Sequence, residues 1–264
     1  MVKGAAAAAD AVRPRRRGVV VLLYHRVGSR TTSEVDLPLA LFAEQVEALA
    51  ATRRVETLDA CLDALAGSEP PGGGDPIAVT FDDGTADFVE VALPVLARNH
   101  VPVVLYLATA FIDEGRTFPG DGRPASWAAL RDAASTGLVT FGSHTHRHAL
   151  LDRLPAAEVA GELDRSRDLI GERLGVAVAH FAYPKAVPGS RAADAAVRAR
   201  FRSAALAGTR PNRYGRTDPH RLARSPIQRA DAMTWFRRKV DGGMGLEDRL
   251  RTLANRRRYA GATS

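Results

Sequence analysis

The 264-residue chain has a single cysteine, Cys61. An internal disulfide is therefore excluded. The surrounding pattern, Leu58-Asp59-Ala60-Cys61-Leu62-Asp63-Ala64-Leu65, reads as a short helix carrying a packed thiol. No apolar run approaches the ~20 residues of a membrane span. The N-terminal segment does not read as a secretory leader. Most of its basic residues, Arg13-Pro14-Arg15-Arg16-Arg17, follow an alanine run instead of preceding it, and residues 19–23 are too few for a leader core. The expectation is a cytoplasmic protein. Aromatic residues are scarce, at 6%, and do not interleave with the three basic clusters, Arg13 to Arg17, Arg237-Arg238-Lys239 and Arg256-Arg257-Arg258. That scarcity argues against a nucleic-acid surface. Repeats and an internal linker are also missing.

What is present fits a globular enzyme-sized chain. Hydrophobic residues make up 45%, enough for a sizeable core, and the length suits one large α/β domain or two small ones. The charge of +7 comes from 37 basic and 30 acidic residues. The basic clusters serve solubility first, and they also suit a phosphate-bearing substrate or an anionic membrane surface.

Strand-like and helix-like segments alternate along the chain. Strands are expected over residues 18–24, 77–81, 101–107, 138–141, 176–182 and 201–206, with a short one over 54–57 and a last, poorly marked one near Ile227. Helices are expected over 39–51, 58–66, 88–98 (kinked at Pro94), 155–174, 191–200, 231–240 and 246–257, and from Ser126 as N-cap to residue 134. Residues 67–76, 109–124 and 212–220 read as loops. Residues 1–17 read as a flexible basic arm, 18–240 as the catalytic domain and 241–264 as a basic helical tail. Such alternation points to a parallel sheet, open or closed as a barrel, with the site at the C-terminal strand ends. The unusual polar residues fall there: His25, Asp82-Asp83, His144 to His148, and Tyr183-Pro184-Lys185.

In Val79-Thr80-Phe81-Asp82-Asp83-Gly84 an apolar run ends in two adjacent carboxylates. Alone, it reads as a strand ending in an exposed turn. His144-Thr145-His146-Arg147-His148 places three of the seven histidines within five positions. At i and i+4 on one helical turn, His144 and His148 can hold one ion while His146 points away. Two imidazoles and a carboxylate make a facial set with open positions. Either Asp83 or Asp82 can supply the carboxylate, leaving the other as general base for hydrolysis.

Thr80-Phe81-Asp82-Asp83-Gly84, His144-Thr145 with His148, and Phe181-Ala182-Tyr183-Pro184 resemble, in order and spacing, three motifs of the polysaccharide deacetylases. These are the NodB-homology domains of carbohydrate esterase family 4, and the Phe-x-Tyr-Pro form is that of one subgroup. Leu23-Tyr24-His25-Arg26-Val27 is similar to the opening of many members. The resemblance covers roughly residues 18–206. It implies a distorted, incomplete (β/α) barrel of parallel strands and removal of N-acetyl, sometimes O-acetyl, groups from carbohydrates. It implies Asp82 as base, Asp83, His144 and His148 as ligands of a divalent metal, usually zinc, and the Lys185 backbone N–H as oxyanion donor.

The chain departs from that pattern in three places. Ala182 stands where many members have an arginine bracing the base. Lys185 stands where tyrosine is common. The Leu-x-His motif that supplies the usual general acid is not found, and His220 in Pro-His-Arg-Leu does not match it. His25 is the candidate acid, with an orienting hydrogen bond to Asp82 as the equal alternative. Arg224 and Arg229 are candidates for substrate contact or for a replacement brace, although exposed charge is the ordinary expectation. His180 reads as structural, and His100 as lying on the opposite face. Trp127 and Trp235 read as core residues before they read as a sugar cleft. The partner implied is an N-acetylated carbohydrate, phosphate-bearing or lipid-linked. Other amide hydrolysis, such as deformylation, and a catalytically silent sugar-binding domain are the alternatives.

Overall fold

The computed structural model describes residues 17–67, 72 and 74–244. The helix expected over 246–257, the cluster Arg256 to Arg258 and all of the N-terminal arm before Arg17 lie outside the described residues. Arg17 was assigned to the arm but is tied to Asp75, with Nε 2.9 Å from both carboxylate oxygens.

The chain runs through β1 (Val20–Tyr24), β2 (Arg26–Val27), β3 (Asp36–Leu37), α1 (Leu39–Thr52), α2 (Leu58–Ala66) and β4 (Ile77–Phe81). A π-turn over Phe88–Ala92 leads into α3 (Leu93–Arg98), then β5 (Val103–Leu107), α4 (Thr109–Asp113), α5 (Trp127–Ser135) and β6 (Val139–Ser143). The last elements are α6 (Ala156–Leu174), β7 (His180–Ala182), α7 (Arg191–Arg198), β8 (Ser203–Ala205), β9 (Arg224–Pro226) and α8 (Ala232–Val240).

Seven strands form one sheet in the order β8-β7-β6-β5-β4-β1-β9, and all of its ladders are parallel. The two edges meet. Leu222 N–H donates to Ala204 O at 3.0 Å, Leu206 N–H to Leu222 O at 2.8 Å, and Gly208 N–H to Arg224 O at 2.7 Å. The result is a nearly closed (β/α) barrel, as the sequence led us to expect. β1, β4 and β5 are buried along their whole length, which explains their unbroken apolar runs.

Side chains alternate across the barrel wall. Val19, Val21, Ala78, Val104, Tyr106, Ala182 and Ala205 form an inner cluster with Leu58, Cys61, Leu62 and Leu65 of α2. Val20, Leu22, Tyr24, Val79, Phe81, Leu105 and Phe141 pack outward among the other helices. The Thr57 side chain caps α2 by accepting from Ala60 N–H at 3.2 Å. This helix therefore plugs the barrel end opposite the motif residues, each buried leucine contributing about 2 kcal/mol. Burial pushes the Cys61 thiol up to about 12, consistent with a packed, inert group.

Several boundaries differ from the sequence reading for local reasons. The stretch 109–124 was read as loop but begins with α4. Of residues 176–182, only His180–Ala182 is strand. Pro155 is the N-cap of α6 and not its first helical residue. Pro94, which has no N–H to give the preceding turn, is the second residue of α3, and the irregularity lies just upstream as the π-turn. Lys239, counted in a surface cluster, is wholly buried and pairs with Asp231 Oδ2 at 2.8 Å. No helix among the described residues is long and apolar enough to cross a membrane.

Candidate active site

The parallel ladders bring the C-terminal ends of β1, β4, β6 and β7 to one mouth of the barrel. Asp82 N–H donates to Tyr24 O at 3.1 Å, which extends the β1–β4 ladder by one residue. Asp82 thereby keeps the phase of Ala78 and Thr80 and is buried in the barrel interior. At Asp83 the backbone turns left-handed (φ 78°), and at Gly84 again (φ 94°). The Asp83 side chain emerges 22% exposed at the mouth.

His144 N–H donates to Leu107 O at 2.9 Å, and its ring Nδ1 donates to Ala182 O at 2.7 Å. A carbonyl only accepts, so the proton sits on Nδ1 and the Nε2 lone pair faces the two carboxylates. That lone pair lies 3.8 Å from Asp82 Oδ2 and 3.8 Å from Asp83 Oδ1. His148 Nε2 lies 3.6 Å from Asp83 Oδ1. His144 and His148 do share one site, but not through a helical turn. Residues 144–148 form a loop in which Thr145 (φ 64°) and His148 (φ 59°) are left-handed. Thr145 Oγ1 accepts from Ala149 N–H at 3.0 Å, and the buried Glu162 carboxylate accepts from the Arg147 N–H and from its Nε at 3.0 Å. Those bonds fold the loop back so that the rings stand 4.9 Å apart. His146 points away, to Thr109 Oγ1 at 2.9 Å.

One ligand atom from each of Asp83, His144 and His148 lies within 4.8 Å of the others. A tetrahedral zinc with bonds of about 2.0–2.1 Å sets its ligands roughly 3.4 Å apart, so small movements bring the three onto one ion. Both imidazoles are neutral, as ligands must be. Burial lowers His144, with Asp82 and Asp83 opposing. Burial, then His144, with Lys185 adding, pulls His148 down to about 4 against Asp83.

Asp82 does have a brace. Arg224 on β9 binds it with two bonds, Nη1 to Oδ1 at 2.5 Å and Nη2 to Oδ2 at 2.8 Å. The expectation of an exposed Arg224 is wrong, since the residue is fully buried. Ala182, small and on the inner face, stands where the usual arginine would sit, and the guanidinium comes instead from β9. Burial alone would raise the Asp82 carboxyl. Arg224 foremost, then His144 and His25, hold it down to about 2.

The remaining candidates separate cleanly. His25 Nδ1 is buried without a hydrogen-bond partner, and the ring is close enough to Asp82 to act on its charge. Lys185 occupies a left-handed position (φ 55°) in the turn Pro184–Ala186. Arg229 instead donates to Thr31 O at 2.8 Å. His220 is held by Phe201 O at 2.8 Å, and His180 lies inside the barrel against Ser203 Oγ at 2.9 Å. His100 lies in the turn before β5, at the opposite end of the strands. Trp127 bonds Asp113 Oδ1 at 3.1 Å, and Trp235 lies under Arg238.

Two features escaped the sequence reading. Phe111 stands edge-on to His148 (6.5 Å) and stacks on Phe118 (4.4 Å), making an aromatic wall beside the Asp83, His144 and His148 group. Tyr106 lies under the Arg224 guanidinium, its ring centroid 5.2 Å from Cζ. The one sequence signal for Arg224 was its place between apolar Leu222-Ala223 and Ile227.

Comparison with protein families matches residues 69–204, more than half of the 264-residue chain, to the family described as polysaccharide deacetylase. No curated protein matches. Among solved structures, IcaB from Ammonifex degensii is 27% identical with a TM-score of 0.71, the match covering 84% of this chain and 98% of that one. The Streptococcus pyogenes deacetylase PplD, solved in complex with acetate, is 18% identical with a TM-score of 0.72, covering 84% and 97%. The BpsB deacetylase domain from Bordetella bronchiseptica is 23% identical with a TM-score of 0.63, covering 81% and 98%. The last two support the fold. With barrel, motifs and family match in agreement, the chain belongs to the polysaccharide deacetylase family.

Proposed function

We propose that this protein is a metal-dependent carbohydrate deacetylase that removes an N-acetyl group. The observation that carries the reading is an ionised, arginine-braced Asp82 beside the Asp83, His144 and His148 group. Asp83, His144 and His148 would hold a divalent cation, zinc by the donor set. When bound, that cation supplies Lewis acidity to the acetyl carbonyl and acidifies water at the site.

The chain's own residues do the rest. Asp82 takes the proton from water as its oxygen adds to the acetyl carbon. The Lys185 N–H lies in the first turn of a short helix, where the helix's own ladder does not use it, and we assign it to the developing oxyanion. As the C–N bond breaks, the amine nitrogen needs a proton, and we assign that donation to the ring of His25, half-buried just after β1 and close enough to Asp82 to act on its charge. Acetate and a free sugar amine result. Residues 18–240 would form the catalytic unit.

The intact donor group and the brace weigh against a silent sugar-binding domain, while deformylation would use the same groups. If the protein works in the cytoplasm, nucleotide sugars and lipid-linked saccharides are within reach. The exposed Lys185 at the mouth would favour a phosphate-bearing one. The test is release of acetate or formate from a panel of N-acylated saccharides by zinc-loaded protein, with metal content measured on the same sample. Acetate release at one metal per chain supports the reading. Formate release, or sugar binding without turnover, replaces it.

A further inference from the structure

We propose that Tyr106 is a positioning residue for Asp82, acting through Arg224, and that Gly142 is the notch that admits its ring. The proposal rests on the assignment of Asp82 as base. The hydrogen bonds of Arg224 run to Leu206 O (3.1 Å), Thr80 Oγ1 (3.3 Å) and the two Asp82 oxygens (2.5 and 2.8 Å). Guanidinium N–H groups point within the plane of the group, so these bonds fix its position in that plane. Displacement toward the barrel wall is resisted by the Tyr106 ring, over whose face the Arg224 Cζ stands 5.2 Å from the centroid. Such a displacement would carry both donors off the carboxylate together. Cation–π attraction in a desolvated site adds to the hold.

The ring is the acting part, because the Tyr106 hydroxyl is buried with no hydrogen-bond partner. Gly142 sits directly across from Tyr106 in the β5–β6 ladder. A Cβ there would lie 2.5 and 2.7 Å from the ring's Cδ1 and Cε1 and 2.9 Å from His180 O. Gly142 is not among the left-handed glycines, so its backbone does not demand glycine. Room is the reason that remains on the strand leading to His144, for the Tyr106 ring at the shortest distances and for the His180 carbonyl after it. A tyrosine that merely filled the core would need neither the guanidinium against its face nor a residue without Cβ beside it in the site's own strand.

The experiment uses the zinc-loaded full chain at a temperature where each variant is folded by circular dichroism. Tyr106→Leu and Gly142→Ala are expected to lower kcat about tenfold or more, with KM and metal content unchanged. Tyr106→Phe restores kcat to within about twofold, since it keeps the ring. A folded Tyr106→Leu with parental kcat, or a Tyr106→Phe as impaired as the leucine variant, overturns the proposal. A urea-unfolding cycle of Tyr106→Leu with Arg224→Met (or Arg224→Lys, should the methionine variant not fold) reads the contact without any turnover. The Tyr106→Leu shift in midpoint should shrink by half or more once Arg224 is gone, and additive midpoints overturn the proposal. A parent inactive on every substrate would sink the deacetylase reading and leave this cycle to decide the contact alone.

Discussion

Arg224 and Asp82 meet inside the barrel through two hydrogen bonds, with side chains only 1% and 4% exposed. A carboxylate this deeply buried would otherwise be forced toward its neutral acid. The guanidinium keeps it charged and fixes which way its lone pairs face.

Removing one member of such a pair leaves the other buried and uncompensated, at a cost of roughly 3–5 kcal/mol. Arg224→Met should lose that much stability by urea unfolding and should lower kcat, while metal content stays at the parental level. Arg224→Lys keeps the charge without the fork and should fall between. Parental stability in Arg224→Met would contradict the pairing.

The Asp82 carboxyl lies at about 2 in the fold against an ordinary 3.8. A depressed carboxylate stabilises the fold above the unfolded value and loses that contribution as pH falls through the folded one. The contribution is on the order of 2 kcal/mol. Urea midpoints of the metal-free parent and Asp82→Asn should therefore converge between pH 4 and 2, by the shift cited. Convergence already between pH 7 and 5 would contradict the assigned pKa.

In the proposed metal site, affinity would depend on the loop between the two histidines. His148→Ala should weaken zinc binding by about a hundredfold or more in chelator competition. Glu162→Ala removes the acceptor that folds the loop back and should weaken it about tenfold. Unchanged affinity in His148→Ala would remove it from the site.

Gly84 is needed for a different reason from Gly142. It is left-handed (φ 94°), and a Cβ would lie 2.7 Å from Leu107 Cδ2 and 3.0 Å from Ile112 Cδ1. Gly84→Ala should cost about 1–3 kcal/mol in backbone strain, with the clash added, and lower the melting temperature by several degrees. An unshifted melting temperature would mean the turn adapts.

The strands were legible because parallel strands buried on both faces write continuous apolar runs, as in Val20 to Tyr24 and Val103 to Leu107. The candidate site was legible where chemistry-bearing residues sit in short contiguous motifs, such as Asp82-Asp83 and His144 with His148. The brace was not, because Arg224 lies 142 residues from Asp82 on a three-residue strand with almost no pattern of its own. Nor was the role of Tyr106, which in sequence is one more apolar-strand tyrosine. The loop geometry at His144 to His148 was hidden for a related reason. It depends on Glu162 in α6, 15 residues from Arg147, and on two left-handed residues that no propensity marks.

The most direct test compares zinc-loaded parent and Asp82→Asn on the best N-acetylated saccharide, measuring acetate release and zinc per chain together. The account predicts equal zinc content and loss of nearly all turnover in the asparagine variant. Equal zinc content with parental turnover would contradict it, because Asp82 would then not be the base.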